Sequence, residues 1–142
     1  MDATGRVCPV VVVVEDNLDN MRLTCDLLRA RGFEPVGAQT ADQALRLVGE
    51  LKPDLVLMDI SLKGTSGLAL TRELKADPTT RTIPIVAVSA YAMAQDEASA
   101  KEAGCDGFIA KPINTRTFAD QLRSYLRRGT ASEATDREEA GP

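Results

Sequence analysis

The stretch Pro9–Asn17, PVVVVVEDN, joins five consecutive valines to two adjacent carboxylates. A continuous run of β-branched residues is typical of a strand that is covered on both faces, because a half-exposed strand would alternate apolar and polar side chains. Glu15 and Asp16 follow directly after the valines. The stretch therefore predicts a buried strand of a parallel sheet whose carboxyl end carries paired negative charge.

Alternating strand and helix patterns continue through the rest of the chain. Short apolar runs predict strands, and apolar residues three or four positions apart predict the helices between them. Thr40-Ala41-Asp42-Gln43 has the spacing of a capping box and is predicted to begin the second helix. The later strands are predicted at 34–38, 54–59, 83–89 and 107–111, and an alanine-rich helix is predicted at 94–103. The other helices are marked by apolar residues at helical spacing: Leu18, Met21, Cys25, Leu28, Ala44, Leu45, Val48, Leu51, Leu70, Leu74, Phe118, Leu122, Tyr125 and Leu126.

Five βα units in succession predict an α/β fold, in which a doubly wound, five-stranded parallel sheet carries helices on both faces. A length of 142 residues corresponds to about one domain. We expect that domain at residues 9–128, preceded by an N-terminal extension at 1–8. Residues 129–142 have no apolar periodicity and are predicted to form a disordered polar tail.

The composition argues against several classes of function. The formal net charge of −4 predicts a surface that binds neither nucleic acid nor anionic membranes. The three cysteines form no CxxC pair, which favours a reducing cytoplasm over a disulfide framework or a zinc site. Neither a signal peptide nor a membrane-spanning segment is predicted. Because the chain has no histidine, its chemistry must rest on carboxylates, hydroxyls and lysine.

Polar side chains recur at the carboxyl ends of the predicted strands. Asp59 ends the third strand, Ser89 the fourth and Lys111 the fifth. Each residue alone is more often a solvated loop residue or a helix cap than a functional group. Together with Glu15 and Asp16, however, they meet at the edge where open α/β sheets bind ligands. Two carboxylates about 4 Å apart repel by roughly 4 kcal/mol at an effective dielectric of about 20, so this cluster predicts a bound cation, and Mg²⁺ fits an all-oxygen site.

The same residues suit phosphoryl transfer. A carboxylate such as Asp59 can form a covalent aspartyl-phosphate. The metal and the ammonium group of Lys111 would neutralise charge on the transferred group, and the Ser89 hydroxyl could donate a hydrogen bond to a phosphate oxygen. The predicted catalytic residues are therefore Asp59, Lys111 and Ser89.

Four segments resemble the signature segments of the response-regulator receiver domain of two-component signalling: VVVVEDN, PDLVLMDISLKGTSG, IPIVAVSAYAM and GFIAKPI. The resemblance covers about residues 10–127, and within the family it is greatest to stand-alone, DivK-like regulators. It implies a flavodoxin-like (βα)5 fold with strand order 2-1-3-4-5. It also implies a cytoplasmic signalling switch, a monomer or weak dimer, that accepts a phosphoryl group from a histidine kinase or a histidine phosphotransfer protein and signals to a downstream protein target.

The resemblance assigns a role to each matching position. Asp59 is the phosphoacceptor. The Mg²⁺ ligands are Glu15, Asp16, Asp59 and the backbone carbonyl of Ser61, with Glu15 acting through water. Ser89 and Phe108 are the switch residues, Lys111 pairs with the phosphate, and the predicted partner-docking residues are Leu18, Met21, Pro112 and Ile113. Core packing is the alternative interpretation of Phe108, Leu18 and Met21.

Three positions depart from the family's usual pattern. Glu15 replaces the commoner Asp, Lys63 replaces a frequent Pro, and Phe108 lacks the hydroxyl of the usual Tyr. Each departure leaves the acid, hydroxyl and lysine set complete.

Three other functions fit parts of the pattern. A magnesium phosphohydrolase with an aspartyl nucleophile would need a second acid at position 61, where this chain has Ser61. A nucleotide- or flavin-binding module would need a glycine-rich phosphate loop, whereas the first loop here is acidic. A receiver that docks without being phosphorylated would not need the complete site. We therefore expect a phosphoryl acceptor, capable at most of autodephosphorylation, rather than an enzyme with turnover.

Overall fold

A five-stranded parallel sheet forms the centre of the computed structural model, which describes residues 8–60, 67–89, 94–111 and 113–126. Its strands are β1 (Val10–Val14), β2 (Glu34–Ala38), β3 (Leu55–Asp59), β4 (Ile85–Ser89) and β5 (Gly107–Ala110). Their order is β2-β1-β3-β4-β5. The predicted fold class and strand order are confirmed.

The helices alternate with the strands along the chain. They are α1 (Leu18–Ala30), α2 (Ala41–Leu51), α3 (Gly67–Ala76), α4 (Ala94–Ala103) and a fifth helix, α5, at 118–126. Asn17 caps α1, and the Thr40 hydroxyl accepts a hydrogen bond from the amide of Gln43 at the start of α2. Gly32 has a φ of +89° just past the end of α1, a conformation that favours glycine.

The valine run is continuous because β1 is buried on both faces. Val11 and Val13 pack with α1 and α5, whereas Val12 and Val14 pack with α2 and α3. All four valines are at most 3% exposed. Burying one such side chain contributes about 1.5–3 kcal/mol, so β1 is a rigid support for the loop that follows it.

Several element boundaries differ from the sequence predictions. Asp54 lies just before β3, where its amide donates to the carbonyl of Val10 and its carboxylate accepts a hydrogen bond from the amide of Val10. β4 begins at Ile85, since Pro84 has no amide hydrogen to give to a ladder. β5 ends at Ala110, one residue before Lys111. Leu51 is 37% exposed at the end of α2 rather than inward-facing.

The predicted extension at 1–8 lies outside the described residues except for Cys8, and the predicted tail at 129–142 lies wholly outside them. Within the described part of the chain, no helix combines the length and the apolar character needed to cross a bilayer.

Candidate functional site

Three carboxylates converge at the carboxyl end of the sheet. Val14 is paired with Met58 in neighbouring strands, so the next residues, Glu15 and Asp59, emerge side by side. Asp16 follows in the loop before α1. One carboxylate oxygen from each acid lies within 4.8 Å of the others. The structure thus brings together the three acids that the sequence predicts at the strand ends.

Lys111 joins two of these acids. Its Nζ atom lies 3.0 Å from Oε1 of Glu15 and 3.5 Å from Oδ2 of Asp59. The backbone amide of Lys111 donates to the carbonyl of Ser89 at 2.8 Å, which fixes the residue at the end of β5. The lysine was predicted to pair with phosphate, and the structure adds that Glu15 is its nearest acid partner.

The protonation of this pair reflects burial and charge together. Burial, followed by the hydrogen bond and the negative charge of Asp59, raises the pKa of Glu15 above its ordinary value, although Lys111 opposes the shift. Burial lowers the pKa of Lys111, but the hydrogen bond to Glu15 and the charges of both acids outweigh it, so the pKa of Lys111 is raised overall. Lys111 is therefore an ammonium ion at neutral pH.

Ser89 lies at the neighbouring strand end. Val88 is paired with Asp59, and Ser89 is the next residue of β4. Its side chain is 1% exposed. The hydroxyl predicted to contact a phosphoryl group is thus placed one strand away from Asp59, on the side of β5 and Lys111.

The donor set fits a hard divalent cation. Glu15 and Asp59 are 5% and 7% exposed, and Asp16 is half-buried, so the cluster holds negative charge where water screens it poorly. Carboxylate oxygens at this spacing suit Mg²⁺, which also keeps several waters as ligands. Ser61, the fourth predicted ligand, lies outside the described residues.

A groove of about 770 Å³ runs from the acidic site along α1. It is bordered by Glu15 and Lys111 at one end, and its walls are mainly apolar; the other lining residues are Asn20, Leu23, Thr24, Leu27, Ile113 and Thr115. Of the predicted docking residues, Ile113 lines this groove, Leu18 is 56% exposed, and Pro112 lies outside the described residues.

The docking prediction for Met21 needs correction. Met21 is only 8% exposed and packs in the core against Gly37, whose missing side chain leaves the space that the Met21 sulfur fills. The sequence reasoning missed Leu23, which is 69% exposed beside the groove. Its signal was available, because Leu23 lies off the inward stripe that Met21, Cys25 and Leu28 define on α1.

Phe108, the second predicted switch residue, is half-buried on β5. It lines a second groove of about 250 Å³, together with Glu97, Ala100, Lys101, Cys105, Asp106, Gly107 and Tyr125. This groove lies between α4, β5 and α5. The ring of Phe108 is therefore neither fully in the core nor fully in solvent, and its switch role stays a prediction.

Comparison with known proteins agrees with this geometry. A model of the response regulator receiver domain matches residues 11–123. The chain belongs to the response-regulator receiver family. This receiver is 45% identical over 116 residues to the polar-differentiation response regulator DivK of Brucella anthropi, an alignment that spans 82% of this chain and 94% of that protein.

Solved structures share the fold. The receiver superposes on a putative response regulator from Chloroflexus aurantiacus with a TM-score of 0.79 and 25% identity, covering 84% of this chain and 98% of that one. It also superposes on NtrX from Brucella abortus with a TM-score of 0.84 and 28% identity, covering 91% of this chain and 30% of that one. Receivers are phosphorylatable signalling switches of two-component systems that typically bind Mg²⁺ at an acidic pocket, so the predicted family and general function are confirmed.

Proposed function

We propose that Asp59 accepts a phosphoryl group from a phosphohistidine of a partner protein, in a reaction that depends on Mg²⁺ held by Glu15, Asp16 and Asp59. The observation that carries the proposal is the convergence of three carboxylate oxygens within 4.8 Å, with the ammonium group of Lys111 3.5 Å from Asp59. A structural role alone would not gather three acids at one sheet edge, because their repulsion costs stability.

The chemical step needs only positioned charge. A carboxylate oxygen of Asp59 attacks phosphorus while the phosphorus–nitrogen bond of the phosphohistidine breaks, and the electron pair remains on the imidazole, which takes up a proton. Mg²⁺, when bound, supplies positive charge to the phosphoryl oxygens. Lys111 supplies a second positive charge from the side of β5, and its raised pKa keeps that charge in place.

Glu15 has a further role in this proposal, as the resting partner of Lys111. Its Oε1 atom binds the lysine at 3.0 Å, and its Oε2 atom accepts a hydrogen bond from the amide of Asn17 at 3.2 Å. The lysine is thus held beside Asp59 before phosphate arrives. When the phosphoryl group adds negative charge at Asp59, Lys111 shifts part of its hydrogen bonding from Glu15 to the new oxygens.

The groove along α1 is the surface that we assign to the phosphoryl donor, a histidine kinase or a histidine phosphotransfer protein. It opens directly beside Glu15 and Lys111, and Leu23 and Ile113 give it apolar contact area. A donor helix seated there would bring its phosphohistidine to the acidic site. This supports docking through Ile113 and Leu18, with Leu23 in place of Met21.

We assign the binding surface for the downstream protein to the groove between α4, β5 and α5. Ser89 lies at the site, and Phe108 lies one strand away on the groove wall. A hydroxyl drawn toward the phosphoryl group and a ring that changes its burial would alter this surface for a downstream protein. The chain then acts as a phosphoryl acceptor and protein-binding switch rather than as an enzyme with turnover.

Intact-mass analysis after incubation with acetyl phosphate and Mg²⁺ tests the proposal. We expect one added phosphoryl group on the wild type and on Asp42→Asn, a matched variant at an exposed aspartate of α2, and none on Asp59→Asn. Chelation of Mg²⁺ should abolish the adduct. An adduct that persists in Asp59→Asn, or release of inorganic phosphate at many turnovers without an adduct, would refute the assignment.

A further inference from the structure

The first residue of α3 touches the backbone of the proposed phosphoacceptor. A Cβ atom built on Gly67 would lie 2.5 Å from the carbonyl oxygen of Asp59, 3.1 Å from its carbonyl carbon, and 2.7 Å from Cα of Ile60. Side-chain carbons do not approach backbone atoms closer than 3.0 Å. Gly67 is therefore the residue that allows α3 to begin directly against the end of β3.

We propose that Gly67 is a positioning residue for Asp59: the close contact between the first turn of α3 and the end of β3 sets where the Asp59 carboxylate stands relative to Lys111 and the other two acids. This inference rests on the proposed function, since it concerns the geometry of the same transfer. It does not follow from the acidic cluster itself, to which Gly67 contributes no ligand.

The first turn of α3 is stiffened by a hydrogen bond within the helix, and the helix is held against the sheet by apolar packing. The Thr71 hydroxyl donates a hydrogen bond to the carbonyl of Gly67 at 2.9 Å, and Thr71 is fully buried. Leu70 and Leu74 pack in the same core cluster as Met58, the residue before Asp59. Because the packing of Leu70 and Leu74 fixes α3 against the sheet, a side chain at position 67 cannot be accommodated by moving the helix alone.

The size of the effect follows from the contact distances. Ordinary van der Waals contact begins at 3.4 Å, so an added methyl group 2.5 Å from the Asp59 carbonyl oxygen requires about 0.9 Å of movement shared between α3 and the end of β3. A misplacement of about 1 Å at a reacting group can cost ~10²-fold in rate. With the movement divided between two elements, we expect a loss of ~10-fold to ~100-fold.

The test compares Gly67→Ala with Gly49→Ala. Gly49 lies in α2, where an added Cβ meets nothing within 4 Å, so that variant makes the same chemical change without the contact. We expect Gly67→Ala to lower the maximal rate of phosphorylation by acetyl phosphate at least tenfold, with little change in the half-saturating concentration. Mg²⁺ titration by calorimetry should show weaker binding, because Asp59 is one of the ligands. Gly49→Ala should match the wild type in both measurements.

A second pair of variants acts on the same turn without adding bulk. Thr71→Val removes the hydrogen bond to the Gly67 carbonyl and should slow labelling severalfold, whereas Thr71→Ser keeps the hydroxyl and should restore it. If Gly67→Ala does not fold, this pair decides the question. Wild-type rates and Mg²⁺ affinity in folded Gly67→Ala, or in Thr71→Val, would overturn the inference. An unlabelled wild type would instead refute the proposed function.

Discussion

Replacing Asp59 by Asn should make the protein more stable when Mg²⁺ is absent. At an effective dielectric of about 20, two carboxylate oxygens that lie within 4.8 Å of each other repel by at least about 3.5 kcal/mol, and Asp59 has two such neighbours, Glu15 and Asp16. Lys111, at 3.5 Å, attracts Asp59 by about 5 kcal/mol on the same scale. The repulsions exceed the attraction by about 2 kcal/mol, and solvent around Asp16 and Lys111 reduces the net effect to about 1 kcal/mol.

The sign of the effect should depend on the metal. A ligand that binds only the folded state stabilises it by about 2.7 kcal/mol when its concentration is a hundred times its dissociation constant. The wild type has all three acids and should gain most of that stabilisation, whereas Asp59→Asn has lost one ligand and should gain less. Mg²⁺ should therefore narrow or reverse the difference in stability between the two proteins.

Urea unfolding followed by circular dichroism, in a chelator and again in excess Mg²⁺, measures both effects. Glu50→Gln is the matched control, because it removes one negative charge from an exposed position of α2. It should change neither the stability in chelator nor the stabilisation by Mg²⁺. If Asp59→Asn is less stable than the wild type in the chelator, the three acids do not repel one another as the geometry requires. If Mg²⁺ stabilises both proteins equally, Asp59 is not a ligand.

Three further predictions concern other parts of the fold. Leu23→Ser should slow phosphoryl transfer from a phosphohistidine donor at least tenfold and leave labelling by acetyl phosphate unchanged. Leu51→Ser, at an exposed leucine that does not line the groove, should affect neither rate. If the donor phosphorylates Leu23→Ser as fast as the wild type, the groove is not the docking site. Lys75→Met should lower the free energy of unfolding by about 1–3 kcal/mol in urea titrations, because Nζ donates to two backbone carbonyls and, at 2.8 Å, to Asp106; a loss below about 0.5 kcal/mol would contradict this. Lys52→Gly should raise the melting temperature, since a φ of 47° costs a non-glycine residue about 1–2 kcal/mol. Glycine also increases the conformational entropy of the unfolded chain, but that loss of stability offsets only part of the strain that is relieved. Lys52→Ala keeps the strained φ and should show no such rise.

The sequence was informative where one physical rule decides the outcome. Continuous burial of β1 follows from a run of valines with no alternation, and the edge where ligands bind follows from the parallel sheet. Those two rules together place Glu15, Asp16 and Asp59 at one point without any coordinates. The strand order could not be derived in this way, because five βα units can be wound in several ways. It was predicted from the resemblance to receivers.

Contacts that depend on the shape of a neighbour were not predictable. Helical spacing marks both Leu18 and Met21 as apolar positions of α1, but Leu18 is 56% exposed, whereas the Met21 sulfur fills the space left by Gly37. The pairing of Lys111 with Glu15 depends on which acid lies nearer in three dimensions. The close approach of Gly67 to the backbone of Asp59 was not predictable either, because it exists only once α3 packs on β3.

The energetic imbalance of the site explains how a small domain can act as a switch. Three acids and one lysine leave net negative charge at the end of the sheet, so any cation or phosphoryl group that rebalances it changes the folded state's free energy. The strands that carry the acids cannot yield, because β3 is buried along its whole length and β1 is buried from Val11 to Val14. The response must therefore fall on the parts that are less firmly packed. One is α4, where Ala100 and Ala103 are the only buried residues among those whose burial is described, 97–103, and another is the groove beside it. A switch of this kind requires both a rigid support for the charges and a weakly packed element beside it. The valine run of β1 provides the first, and the alanine-rich helix α4 provides the second.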